Sequence, residues 1–232
     1  MTTSKTTTGP LALVGGGEFS PACADLDRDL LDAADATEVL VLATAAAFED
    51  AGAVEARAAV YFSGLGVRTD PLPVLHRHDA DDDALIAKVR SARAICIADG
   101  SPMHLRSVLK DSELYGAIVH AHRRGAVLIA SGAGATLLGD PMVDPRGGAY
   151  TVGLGLVPGL AIFPYHGTTA EHLRARSVDL LPKDAVLCGV DAETAVVRRG
   201  DTWTVEGAGA AVVYRTGRAP ETVAAGNPIT LV

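Results

Sequence analysis

Ala126-Val127-Leu128-Ile129-Ala130 is an unbroken apolar run that meets Ser131-Gly132-Ala133-Gly134-Ala135 and continues through Thr136-Leu137-Leu138-Gly139. An apolar run this short, stopped by small residues, reads as a strand buried on both faces. Side chains this small let the chain turn sharply from the strand into a helix. The same grammar recurs upstream. Leu11 to Val14 is stopped by Gly15-Gly16-Gly17, Val39 to Ala43 runs into small residues, and Ala94 to Ala98 is stopped by Asp99-Gly100. Between these runs lie helical stretches: one opened by Ser20-Pro21 with Leu26, Leu30 and Leu31 on one face, Phe48 to Phe62, one beginning at Asp79 to Asp83, Met103 to Leu109, and Glu113 to Arg124. Val67 to Leu75 is extended but carries Pro71 and Pro73, which suits an edge strand. Strands alternating with helices predict an α/β fold, a mostly parallel sheet covered by helices on both faces.

After Gly139 the pattern changes. Short extended pieces at 150–152, 154–156 and 160–164, one helix over Thr168 to Leu181, and strand-like runs at 185–190, 194–198, 202–205 and 210–214 predict a β-rich extension completing the same sheet. Gly200-Asp201 marks a hairpin between two of these runs. No linker or internal repeat divides the chain, so residues 10–232 are expected to form a single domain behind a flexible N-terminal tail, 1–9. The 48% hydrophobic content suits a substantial core, built with few aromatics. A net charge of -8 offers no basic field for nucleic acid or an anionic membrane, and no apolar run is long enough to span a bilayer. The Thr-rich start lacks the apolar core of a signal peptide. Cys23, Cys96 and Cys188 are odd in number and widely spaced, as expected of reduced, buried thiols in a cytoplasmic protein.

Several motifs point away from cofactors. Gly15-Gly16-Gly17 does not complete G-x-G-x-x-G, because Ser20 stands where the last glycine belongs, and Leu137 breaks the pattern begun by Gly132 and Gly134. Gly16 therefore reads as part of a tight turn whose backbone approaches something closely. His76, His78 and Asp79, with the acids 81–83, read as a solvated surface rather than a metal site, since nothing fixes a further ligand and acids favour a helix start. Ser107 and Lys110 have Ser-Lys spacing but sit mid-helix among charges. No cofactor and no metal is expected.

Strand, sharp turn and helix at 126–139 is the arrangement in which α/β hydrolases raise a nucleophile, yet Gly132 holds that position. His166 follows an apolar run and precedes a helix, so it is expected at a strand's carboxyl end, where open α/β sheets hold ligands. Asp191 and Glu193 end the next strand and face that crevice or cap a turn; Asp140 and Asp144 lie in the loop after the elbow helix, within range to orient a histidine.

In order along the chain, Gly15-Gly16-Gly17-Glu18, Ala43-Thr44-Ala45-Ala46, Ile97-Ala98-Asp99-Gly100-Ser101, Ser131-Gly132-Ala133-Gly134-Ala135, Gly153-Leu154-Gly155-Leu156, Tyr165-His166 and Gly189-Val190-Asp191-Ala192-Glu193-Thr194-Ala195 resemble the motifs of the cyanophycinase and dipeptidase E family of serine peptidases. That family has the class I glutamine-amidotransferase-like fold. Its corresponding motifs read Phe-x-Gly-Gly-Asp/Asn at 97–101, Thr-Ser-Ala-Gly-Ala at 131–135 and Gln/Pro-His-Phe at the histidine. The resemblance implies a serine attacking an amide carbonyl, a histidine as base, an acid orienting it, and backbone N–H groups stabilising the oxyanion. Carried over, the histidine is His166, the acid Asp144, and the oxyanion donors Gly100 and Ala133. The nucleophile position is Gly132, with Ser131 its neighbour, and Asp99 stands in place of the loop's first glycine. Side chains alternate along the strand, so Ser131 is expected to point away from His166 unless the turn is re-registered.

Three functions follow from this resemblance. The first is an amide hydrolase using Ser131, or a water held by His166 and Asp99. The second is a catalytically silent relative binding a small acidic or peptide-like ligand around Gly16, Asp99, Gly100, Gly132, Ala133 and Glu193. The third is an oligomeric scaffold, a homo-oligomer assembled through its sheet or helix faces.

Overall fold

The computed structural model describes residues 8–231. Residues 1–7 of the expected tail lie outside the described residues, whereas Gly9 is buried, its N–H bonded to the carbonyl of His122 at 2.9 Å. The first half is the expected alternation: β1 (Leu11–Val14), α1 (Ala24–Ala33), β2 (Glu38–Leu42), α2 (Ala51–Gly64), β3 (Arg68–Pro71), α3 (Asp83–Ser91), β4 (Ala94–Ile97), α4 (Pro102–Leu109), α5 (Glu113–Arg123), β5 (Val127–Ser131) and the short α6 (Ala133–Leu138). Two-residue strands follow: β6 (Gly139–Asp140), β7 (Met142–Val143), β8 (Tyr150–Thr151) and β9 (Val157–Pro158). The last part holds β10 (Leu160–Phe163), α7 (Glu171–Asp179), β11 (Val186–Val190), β12 (Thr194–Arg199), β13 (Thr202–Gly207), β14 (Ala210–Tyr214), β15 (Glu221–Ala224) and β16 (Pro228–Ile229).

The main sheet runs β16-β13-β12-β1-β5-β4-β2-β3, with β1, β5, β4, β2 and β3 parallel and β12, β13 and β16 antiparallel to their neighbours. Its inner parallel strands alternate between two apolar layers. Leu11, Leu13, Ile95, Ile97, Leu128 and Ala130 pack with α3, α4 and α5. Ala12, Val14, Ala94, Cys96, Val127 and Ile129 pack with Leu26, Leu30 and Leu31 of α1 and Ala58 and Phe62 of α2. Burial of both faces explains why these strands are apolar throughout. Strand β3, with its two prolines nearby, lies at the sheet edge as expected. Asp79 belongs to a 3-10 turn over Arg77–Asp81, and α3 starts only at Asp83, capped by the Asp82 carboxylate.

The C-terminal region is rich in strands but does not simply complete the main sheet. Strands β10, β11, β14 and β15 form a separate four-stranded sheet, while β12, β13 and β16 extend the large one. The chain passes from β11 of the second sheet to β12 of the first through Asp191-Ala192-Glu193, a reversal in which Glu193 takes a left-handed φ of 57°, and crosses again between β13 and β14 and between β15 and β16. Among the described residues no helix is long and apolar enough to cross a membrane.

Candidate active site

The carboxyl ends of β1, β4 and β5 bring three loops together, the place where parallel sheets present ligands. Strand β5 ends at Ser131, and the chain turns at Gly132 (φ 47°, ψ -103°) directly into α6. Side chains with a Cβ rarely adopt that backbone conformation. Space is a second constraint: a Cβ built on Gly132 would lie 2.1 Å from the Asp99 carboxyl carbon and Oδ1. The Asp99 carboxylate therefore fills the volume above the elbow that a side chain at 132 would need.

Both carboxylate oxygens of Asp99 are engaged. Oδ1 accepts from the backbone N–H of Gly100 and of Ala133, each at 2.7 Å, and Oδ2 accepts from the Tyr165 hydroxyl at 2.5 Å. Gly100 and Ala133 are the two donors expected to stabilise an oxyanion. Their N–H groups do converge on one point, and an internal oxyanion already sits there. Burial, reinforced by the neighbouring Asp99 carboxylate, pushes the Tyr165 hydroxyl pKa up, so Tyr165 stays a proton donor. The Tyr165 ring lies over Gly16, where a Cβ would fall 2.1 Å from its Cζ, so only glycine fits there. This is the close approach expected of the first glycine loop.

Ser131 is fully buried and points the other way. Its Oγ donates to Glu18 Oε2 at 2.7 Å, while Glu18 Oε1 accepts from the Asp99 N–H at 3.0 Å. Glu18 thus ties the first glycine loop to both the β4 and β5 ends. The Ser131 hydroxyl faces Glu18, as alternation along the strand requires, and makes no hydrogen bond to His166.

His166 and Asp144 are likewise kept apart. His166 is buried, with Nε2 2.8 Å from the Tyr214 hydroxyl and Nδ1 3.7 Å from Asp191 Oδ1, and its ring packs against Gly189. Burial, and then Arg174, hold its pKa below the ordinary histidine value against the opposing pull of Asp191. Asp144 forms a two-pronged pair with Arg146, with Nε at 2.9 Å from Oδ1 and Nη2 at 2.6 Å from Oδ2, which keeps its carboxyl below the usual range. The structure therefore does not assemble Ser131, His166 and Asp144 into one hydrogen-bonded chain. Glu193 serves the turn through its main chain, its N–H donating to the carbonyl of Gly16 at 2.8 Å.

Two side chains at this centre, Tyr165 and Glu18, lie within the motifs read from the sequence but are given no role there. A signal for Tyr165 was present: it directly precedes His166 in Pro164-Tyr165-His166, at the same strand end. Tyr165 also has a left-handed φ of 52°, and this kink delivers its side chain to Asp99.

A cavity of about 230 Å³ opens beside this centre, walled by Pro102, Val143, Phe163 and Leu173 and floored by Asp99 and Tyr165. A second cavity, about 420 Å³, shares Asp99, Gly100 and Tyr165 and is otherwise lined by groups including Glu18, Glu49 and Arg57. Among the described residues, the His, Cys, Asp and Glu group whose ligand atoms converge is His76, His78 and Asp79, on the surface and outside both cavities.

Residues 11–205 match the model of peptidase family S51. No match was found among curated proteins. The crystal structure of a peptidase from an acI-B1 Actinobacterium superposes with a TM-score of 0.89 at 27% identity, over 98% of this chain and 99% of that one. A putative peptidase E protein from Listeria monocytogenes EGD-e shares the fold, with a TM-score of 0.67 at 16% identity over 86% of this chain and 98% of its own. With a family match spanning most of its length and the elbow, glycine loops and strand order in place, the chain belongs to peptidase family S51.

Proposed function

We propose that this chain is a member of the family that has lost serine hydrolysis and holds a small amide-like or peptide-like ligand in the crevice above β4 and β5. One observation carries the reading: the Asp99 carboxylate occupies the space over Gly132 and saturates the Gly100 and Ala133 N–H groups. An acyl-transfer site needs those donors free for the charge that develops on the carbonyl oxygen. It also needs a nucleophile beside a base, and the hydroxyl next to the elbow in sequence, that of Ser131, is committed to Glu18. Tyr165, with its pKa pushed up, is no general base near neutral pH. In this reading Gly132 stands where the family has serine, while the scaffold around it is kept.

The test is hydrolysis of β-aspartyl, Asp-Xaa and glutamine substrates, together with labelling by a serine-directed fluorophosphonate. The expected outcome is no turnover and no label. Turnover abolished by Ser131→Ala, or a fluorophosphonate adduct mapped to Ser131, overturns the proposal.

A further inference from the structure

We infer that the 230 Å³ cavity selects a small ligand bearing a protonated amine on an apolar tail, and that Asp99 is the group that recognises it. The inference rests on reading this crevice as a ligand site, and it reverses the polarity of the acidic ligand that the sequence suggested.

Hydrogen-bonding capacity around the cavity carries it. The hydroxyl protons on its wall are all spent inside the protein: Thr136 Oγ1 donates to the Gly132 carbonyl at 3.0 Å, Thr169 Oγ1 to the Pro164 carbonyl at 3.4 Å, and Tyr165 to Asp99. Three wall residues, Pro102, Pro145 and Pro164, have no N–H to offer. The N–H groups of Gly100 and Ala133 bond to Asp99, and those of Asp99, Asp144, Gly148 and Tyr165 bond to other protein oxygens. No lysine or arginine among the described residues lines the cavity.

Acceptors, by contrast, remain. A carboxylate offers about four lone-pair sites. Asp99 uses three of them, two on Oδ1 and one on Oδ2, so an acceptor position is left on the carboxylate at the cavity floor. Asp144, the other carboxylate on the wall, is neutralised by Arg146 and adds no second charge centre. A carboxylate ligand would meet an anion and no free donor, so its own oxygens would be desolvated without partners. An ammonium group brings three donors and the opposite charge. The remaining wall, with Val143, Phe163 and Leu173, suits a short hydrocarbon tail.

Calorimetric titration of the full chain with isoamylamine, isoamyl alcohol and isovalerate at pH 7 isolates the head group on one skeleton. The amine is expected to bind at least tenfold more tightly than the alcohol, with isovalerate weakest. In Asp99→Asn the amine should lose at least tenfold and the preference over the alcohol should vanish. Should that variant not fold, the three-ligand series on the unaltered chain decides the question by itself. Isovalerate or the alcohol binding as tightly as the amine overturns the inference, and so does an absence of binding by all three. These outcomes differ from failure of the hydrolysis reading, which is decided by turnover and fluorophosphonate labelling.

Discussion

Replacing Gly132 by serine installs the side chain expected of a nucleophile elbow, and the structure predicts that the protein resists it. The new Cβ would sit 2.1 Å from the Asp99 carboxyl carbon, far inside contact distance, so the carboxylate must leave. Leaving breaks two bonds of 2.7 Å to N–H groups and the 2.5 Å bond from Tyr165. Bonds to a charged acceptor contribute about 1.5–3 kcal/mol each, part of which is recovered if water reaches the vacated donors. A non-glycine residue at a φ of 47° and ψ of -103° adds about 1–3 kcal/mol of strain. Gly132→Ser should therefore destabilise the fold by roughly 4–6 kcal/mol. In an Asp99→Gly background the overlap and the carboxylate bonds are already gone, and only the backbone strain of about 1–3 kcal/mol remains. Urea unfolding of the four proteins of this double-mutant cycle should show a coupling of about 2–4 kcal/mol between the positions. A Gly132→Ser chain too unstable to purify, beside a folded double variant, supports the same coupling. Additivity within about 0.5 kcal/mol would refute the claim that Asp99 fills the elbow.

Asp27 on α1 is buried against the Tyr61 hydroxyl at 2.7 Å, and burial, with a smaller push from Glu18, raises its pKa to about 6 from an ordinary 3.8. Below pH 3.8 the group is protonated in both states and its stabilising share is complete; between 3.8 and 6 only the folded chain keeps the proton, so stability falls as pH rises, and above 6 it is lost. Asp27→Asn should thus raise stability at pH 7.5 by about 2–3 kcal/mol in urea titrations and have no such effect at pH 3.5; an equal effect at both would contradict it. Cys23, Cys96 and Cys188 are buried, with Cys23 pushed up to about 11 and Cys188 to about 12 by desolvation. An aromatic disulfide reagent at pH 8 should leave the native chain unlabelled and titrate all three thiols after denaturation, and rapid native labelling would show that a thiol is accessible.

Much of the fold could be read from the chain because its inner parallel strands, β1, β4 and β5 among them, are buried on both sides. Runs such as Leu11 to Val14 and Ala94 to Ala98 have no polar residue to blur them. Strand β15 gave no such signal, since three of its four residues are exposed and only Val223 is buried. The separation into two sheets was also hidden, because it depends on where short turns, at 191–193, 208–209 and 225–227, redirect the chain, and not on the composition of the strands they join. At the site, Asp99, Gly100, Gly132 and Ala133 stood out by motif, and strand alternation oriented Ser131. What sequence could not supply was the meeting of Asp99 with two N–H donors, one of them 34 residues away on another loop. Period-two alternation likewise fails across Pro164 and the left-handed Tyr165, so the side chain that reaches Asp99 could not be read from the strand pattern.

The three unusual positions depend on one another physically. The Gly100 and Ala133 donors are products of backbone geometry, fixed by β4, β5 and the turn into α6, and they persist whatever side chain the elbow has. Buried N–H groups left without an acceptor are costly. An elbow with no side chain thus creates both a space and a pair of unsatisfied donors, and a carboxylate reaching in from position 99 answers both. That carboxylate in turn needs its second oxygen satisfied, and the Tyr165 hydroxyl does so, with Gly16 leaving room for the ring. A side chain at 132 alone therefore meets a clash, and removing the Asp99 carboxylate alone takes the acceptor from two N–H donors. Under the proposed reading, recovery of hydrolysis requires at least Asp99, Gly132 and Tyr165 to change together, so this centre is a repacked site with its own polarity and not a peptidase site short of one atom.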